Sequence, residues 1–232
     1  MKESIVKIRN MGKAFPTGEG DFWALQNINL DFERGEFSGI VGPSGSGKTT
    51  LLNIIGSLDK PSLGDVEVLG QKIQTLNQKK SSILRAKHIG FIFQTYNLLP
   101  VYNVYENVEF PLLLLKMDAA KRERMVKDAI EWVGLTDKIK SRPNQLSGGQ
   151  CQRVAIARAM VKKPDLVLAD EPTANLDSEN SYKILDTMLK LSEDLGTTFI
   201  FSTHDQKVIS YLKRIIKLTD GEVSSDDTQT GV

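Results

Sequence analysis

Residues 42–49 read Gly42-Pro43-Ser44-Gly45-Ser46-Gly47-Lys48-Thr49: two glycines separated by four residues, then Lys and Thr. Backbone N–H groups converge on a phosphate only where no Cβ blocks the approach, which explains the glycines. A helix starting at Thr49 would point the positive end of its dipole at the same anion. Lys48 adds a mobile cation, and the Thr49 hydroxyl suits Mg2+. The candidate triphosphate contacts are therefore Gly42, Ser44, Gly45, Ser46, Gly47, Lys48, Thr49 and Thr50.

A second stretch, Leu166-Val167-Leu168-Ala169-Asp170-Glu171, ends an apolar run with two adjacent carboxylates. Ligands of open α/β sheets bind at the carboxyl ends of strands, where such a pair would sit. The two acids suit divided labour. Asp170 holds a divalent cation, through water, and Glu171 polarises an attacking water. A third stretch, Leu146-Ser147-Gly148-Gly149-Gln150, places a capping serine before two glycines. The bare N–H groups of that first turn, at Gly148, Gly149 and Gln150, make a second anion-binding helix end.

Elements must hold these residues in place. Residues 5–8 and 25–32 alternate apolar and polar, as half-buried strands do. Short apolar runs at 37–41, 89–93 and 166–169 read as buried strands; 64–70, 197–202 and 214–219 complete the set. Helices are expected over 51–58, from the Asp118 N-cap to Gly134, over 147–163 before Pro164, and over 178–195. Strands alternating with helices predict an α/β fold with a mostly parallel sheet. An antiparallel β region precedes it, and a helical subdomain, 95–163, interrupts it. Residues 1–223 are expected to form one nucleotide-binding domain, and the polar stretch 224–232 a disordered tail.

Composition narrows the function classes. The 232 residues are 40% apolar and 25% charged, ordinary for a globular protein. Thirty basic against 29 acidic residues leave a net charge of +1, which gives no pull toward nucleic acid. The single cysteine, Cys151, excludes an internal disulfide framework and a cysteine-based zinc site. No apolar run approaches the eighteen residues a membrane span needs, and the N-terminus lacks the apolar segment of a signal peptide.

The order of these motifs resembles the nucleotide-binding subunits of ABC transporters over nearly the whole chain. That resemblance implies the P-loop ATPase fold of the family, with ATP and Mg2+ as cofactors. It makes Gln94 the glutamine that contacts Mg2+ and senses a membrane partner, and His204 the switch histidine beside Glu171. Asn175 and Asp177 become a loop crossing a dimer seam, and Phe15 the aromatic that stacks on adenine, with Trp23 as a competitor. It further implies head-to-tail pairing, each ATP lying between the phosphate loop of one copy and the Ser147 helix end of the other. An integral membrane subunit completes the assembly, at the cytoplasmic face of the inner membrane.

Two positions depart from the family: Cys151 replaces a longer polar residue, and Phe15 stands where Tyr is more usual. The stretches 97–100 and 106–111 are similar to ATPases of the lipoprotein-releasing and macrolide-export group. Leu98, Leu99, Leu112 and Leu114 could line a groove for the partner or build the subdomain core. A cell-division-type ABC ATPase shares all the motifs. DNA-repair ABC proteins fit less well, since no sustained heptads separate Lys48 from Leu146.

Overall fold

The computed structural model describes residues 3–18 and 20–229. The chain opens with a long antiparallel hairpin, β1 (Ser4–Thr17) and β2 (Gly20–Glu33), followed by β3 (Phe37–Val41) and α1 (Lys48–Ile55). Next come β4 (Leu63–Val68), β5 (Gln71–Lys72), α2 (Gln78–His88) and β6 (Ile89–Ile92). Three helices, α3 (Val104–Leu114), α4 (Ala119–Trp132) and α5 (Gly148–Met160), then precede β7 (Leu166–Asp170). The chain closes with α6 (Ser178–Leu195), β8 (Thr198–Thr203), a single turn α7 (Gln206–Ile209), β9 (Arg214–Thr219) and β10 (Glu222–Thr228).

The strands form two sheets. The smaller is antiparallel, in the order β2-β1-β4-β5; the larger runs β10-β9-β3-β8-β7-β6. In the larger sheet every pairing is parallel except that of β9 with β10. Its middle strands are apolar on both faces because both faces are covered. Ile40, Leu166, Leu168 and Ile200 meet α1 and the smaller sheet. Their alternates Phe37, Val167, Ala169, Phe199 and Phe201 meet the helices on the other side. Phe37 packs on Phe201 and Phe199 with ring centroids 4.7 and 5.5 Å apart. Truncating one such buried ring to Ala costs about 3–5 kcal/mol. This core anchors the strand ends that carry the chemistry.

Three elements differ from expectation. Residues 224–228, expected in a disordered tail, form most of β10 instead, while 230–232 lie outside the described residues. The turn at Asp220 and Gly221 folds β10 back on β9, and Arg214 ties it down with two bonds of 2.7 Å to the Asp226 carboxylate. Helix α3 runs through Pro111, and its start is fixed by a reciprocal cap between Asn103 and Glu106. Helix α2 is polar, with only Ser81 and Leu84 buried, so it carries almost no apolar period.

Candidate functional site

Four neighbouring strands of the larger sheet end on the same side, and each hands over one motif. β3 leads into the phosphate loop, β8 into His204, β7 into Asp170 and Glu171, and β6 into Gln94. The registers align these ends: Val41 pairs with Thr203, Asp170 with Ser202, and Ile92 with Ala169. Residues far apart in sequence therefore form one row by parallel pairing alone.

Helix α1 begins without a side-chain cap, after Gly47 at φ +101°. Any Cβ at Gly47 would also lie 2.7 Å from the Ala24 carbonyl oxygen, so only glycine fits. Lys48 is 7% exposed, and its Nζ donates to the carbonyls of Gly42 and Pro43 at 2.8 Å each. The ammonium thus rests on neutral carbonyls of its own loop, where a phosphate oxygen would offer it a charged acceptor. Ser46 is buried, and its Oγ has no partner. A buried hydroxyl with no acceptor is costly, and a phosphate oxygen would satisfy it.

The Thr49 hydroxyl donates to both Asp170 oxygens, at 3.1 and 3.3 Å. Two hard oxygen donors meeting beside a phosphate loop fit a cation that completes its shell with water and phosphate. Among the described residues no group of three or more His, Cys, Asp or Glu forms a protein-only metal cage.

Glu171 has a left-handed backbone, φ +46°, unusual for a residue with a Cβ. Its N–H bonds the Ser202 carbonyl at 2.9 Å, which anchors the twist to β8. One carboxylate oxygen lies 2.6 Å from His204 Nδ1, and the other accepts from the Thr203 hydroxyl at 3.1 Å. Next to this pair, burial pushes the Asp205 carboxyl up. The Lys207 N–H, the Lys207 ammonium and the Thr173 hydroxyl outweigh it and hold the group below the ordinary carboxylate range.

The β1–β2 hairpin brings Phe15 opposite Phe22, and both line an open cavity of about 340 Å3 shared with Lys48, Thr49 and Thr50. Trp23 does not line it; its ring packs over Gly12. Lys13 Nζ sits 4.9 Å from the Phe15 ring centroid. Phe22 was not singled out in sequence, because its pairing with Phe15 depends on a hairpin register that shifts between Lys13 and Ala14.

Ser147 caps α5 as expected. Its Oγ accepts from the Gln150 N–H at 3.3 Å, and the Gln150 side chain accepts from the Ser147 N–H at 2.9 Å. Asp177 caps α6 through the Asn180 N–H, and that bond first of all holds its carboxyl below the usual range. Asn175 Nδ2 donates to the Gln94 carbonyl at 2.8 Å. Sequence reasoning missed the buried Asn107, whose side chain makes four bonds to the backbone of Leu99, Tyr102 and Asn103. Its signal was an Asn in the first turn after the Asn103–Glu106 cap.

A parallel sheet with a glycine loop, a loop lysine, and two acids one strand over from that lysine's neighbour defines a P-loop nucleoside-triphosphate-binding protein. Residues 25–174 match the family described as ABC transporter. An uncharacterized ABC transporter ATP-binding protein of Methanocaldococcus jannaschii, MJ0796, is 44% identical over 231 residues, 98% of each chain. The lipoprotein-releasing system ATP-binding protein LolD of Francisella tularensis is 42% identical over 224 residues, 96% of this chain and 97% of its own. The macrolide export ATP-binding/permease protein MacB of Rhodopseudomonas palustris is 42% identical over 97% of this chain, which spans 34% of that longer protein. A dimeric post-hydrolysis structure of the cassette MJ0796 with ADP and Pi superposes with a TM-score of 0.90, at 43% identity over 98% of this chain and all of the other. The chain belongs to the ABC transporter ATP-binding family, and its relatives include the lipoprotein-release and macrolide-export ATPases. Among the described residues no helix is long and apolar enough to cross a membrane.

Proposed function

We propose that this chain hydrolyses ATP between two head-to-tail copies and thereby drives a separate integral membrane subunit, at the cytoplasmic face of the inner membrane. The row of four strand ends carries this reading, because it assembles triphosphate, acid and histidine functions at one edge. The dimeric MJ0796 cassette with ADP and Pi supports the two-copy arrangement.

In this reading Phe15 stacks on adenine, Phe22 adds an edge, and Trp23 belongs to the hairpin. N–H groups of 44–50 and the Lys48 ammonium cradle the phosphates. Thr49, Asp170 and Gln94 would hold Mg2+, which when bound neutralises charge on the phosphate oxygens. Water attacks the γ-phosphorus in line, the bond to the β-phosphate oxygen breaks, and ADP and phosphate leave. Glu171 orients that water and takes its proton; His204, 2.6 Å from Glu171, faces the γ-phosphate. The partner copy's α5 end completes the pocket through Ser147, Gly148, Gly149 and Gln150, and the loop at Asn175 and Asp177 crosses the seam.

Moving a dimer from 1% to 99% closed takes about 5.5 kcal/mol of differential affinity. Charge-assisted hydrogen bonds of about 1.5–3 kcal/mol each, made to two γ-phosphates, reach that figure.

The membrane partner would dock beside α3. Leu112 is fully buried and belongs to the subdomain core, whereas Leu114 is 61% exposed and Leu98 packs partly against that core. Phosphate release from MgATP by the purified chain, compared with Lys48→Ala, tests hydrolysis. Affinity purification from membranes tests the partner. A chain that recovers no integral membrane protein would remove the transport half of the reading.

A further inference from the structure

Phe15 stands where its own sheet gives it little support. β1 pairs with β4 only as far as Gly12, opposite Leu63. Its register against β2 breaks between Met11 and Lys13, and again between Lys13 and Ala14. The end of the hairpin, with Phe15 40% exposed, therefore extends past the last β1–β4 pair.

Residues 59–62 take over from the ladder. The Ser62 N–H donates to the Gly12 carbonyl at 2.9 Å. The Ser62 hydroxyl accepts from the Ala14 N–H at 3.0 Å and donates to the Ala14 carbonyl at 3.3 Å. Lys13 adds a charged tie: its Nζ donates to Asp59 Oδ1 at 2.7 Å and to the Lys60 carbonyl at 2.9 Å. Asp59 is itself fixed to α1. Its N–H and that of Leu58 donate to the carbonyl of Asn53, inside that helix, at 3.2 and 2.8 Å.

An ammonium has three donors. Two from Lys13 go to Asp59 and Lys60, which leaves one for the Phe15 ring, its centroid 4.9 Å away. Lys13 does not line the cavity that Phe15 shares with Lys48, Thr49 and Thr50, so the cation meets the ring from outside it. A ring held by a cation on one side keeps its other face for a π partner. Contacts thus run from the helix behind the phosphate loop, through Asn53, Asp59 and Lys13, to Phe15.

We propose that Lys13, anchored by Asp59, is a positioning residue that sets the Phe15 ring at a fixed distance from the α1 start, so that base and triphosphate are gripped together. This role rests on the nucleotide reading above, in which Lys13 touches neither base nor phosphate. Partly exposed ion pairs add little to stability, so removing this one should leave the fold in place and be felt at the base.

The test titrates the full chain with ATP and, separately, with inorganic tripolyphosphate, both with Mg2+; the second ligand has the phosphates and no base. ATP affinity should fall about fivefold in Lys13→Met, as the ring loses its cation and its placement. It should fall about two- to threefold in Asp59→Asn, where the Lys60 carbonyl still holds the ammonium. Tripolyphosphate affinity should stay within about 1.5-fold in both, because loop 42–49 is untouched. Added to Phe15→Ala, Lys13→Met should cost less than about 1.5-fold more, because the ring it places is gone. Lys13→Arg should keep ATP affinity within about twofold, since a guanidinium both pairs with a carboxylate and stacks on a ring.

Equal losses for ATP and tripolyphosphate, or a full further loss when Lys13→Met is added to Phe15→Ala, would overturn the proposal. Asp59→Asn, alone and with Phe15→Ala, carries the same comparison if Lys13→Met misfolds. The two readings fail differently. A wild-type chain that binds neither ligand sinks the nucleotide reading, and the role of Lys13 with it. A wild-type chain that prefers ATP, with Lys13→Met keeping the same preference, sinks the role of Lys13 alone.

Discussion

Two helix ends in this chain can receive an anion, and they are finished differently. The α1 end has no side-chain cap, follows a glycine at φ +101°, and carries Lys48 in its first turn. The α5 end is closed by a reciprocal Ser147–Gln150 cap, and its first turn, Gly148 to Cys151, carries no charge. An uncapped end leaves orphan N–H groups free to turn from water to a ligand. A capped end folds without one. The contrast fits the proposed division of labour, in which α1 would bind phosphate on its own and α5 would add only to an anion already held elsewhere.

Four experiments break or sharpen this contrast. Glu171→Gln keeps both helix ends but removes the base, so turnover should fall about 10²- to 10⁴-fold. With ATP this variant should sediment as a dimer; a monomer at saturating nucleotide would break the pairing of the two ends. Lys48→Ala removes the cation of the first end. One charged hydrogen bond is worth about 1.5–3 kcal/mol, so ATP affinity should drop about 10- to 150-fold by titration calorimetry.

Ser147→Ala acts on the other end. Loss of the cap costs about 1 kcal/mol, or roughly 2–4 °C in melting temperature for a chain of this size. ATP affinity of the single copy should not move, but the ATP-induced dimer of Glu171→Gln should weaken. Equal loss of monomer affinity would erase the distinction between the ends.

The smallest effect is a control at the opposite edge of the sheet. Burial pushes the Asp165 carboxyl up, but Arg34 and His88, each 2.8 Å away, outweigh it and hold it below the ordinary range. A carboxylate depressed by folding stabilises the fold above its unfolded value of about 3.9 and loses that contribution as pH falls through the lower folded value. Asp165→Asn should therefore be less stable than wild type at pH 7, and the gap should close below about pH 4. A gap that stays constant in circular dichroism melts would refute the linkage.

Most of the candidate site's arrangement was legible because its motifs are local. A glycine loop, two adjacent acids and a capping serine are each read from a few neighbouring residues, and the strands that carry them are short apolar runs. Helix α6 matched its expected span, Ser178–Leu195, because Asp177 caps it and Gly196 ends it at φ +64°. Helix α3 was hidden by Pro111, which removes one donor from the interior of the helix. β10 was hidden because, Val223 apart, its residues are polar on both faces; its order comes from antiparallel pairing with β9 and from the Arg214–Asp226 contact. The choice between Phe15 and Trp23 depended on hairpin register, which sequence leaves open.

Cys151 lies one turn into α5 at 8% exposure, and burial pushes its thiol up, away from the reactive thiolate. As the only sulfhydryl in 232 residues, it leaves the rest of the surface blank to maleimide reagents. A cysteine engineered at any exposed position would therefore take a fluorophore or spin label selectively in the otherwise native chain, and distances across a nucleotide-closed pair become measurable without first removing a natural thiol.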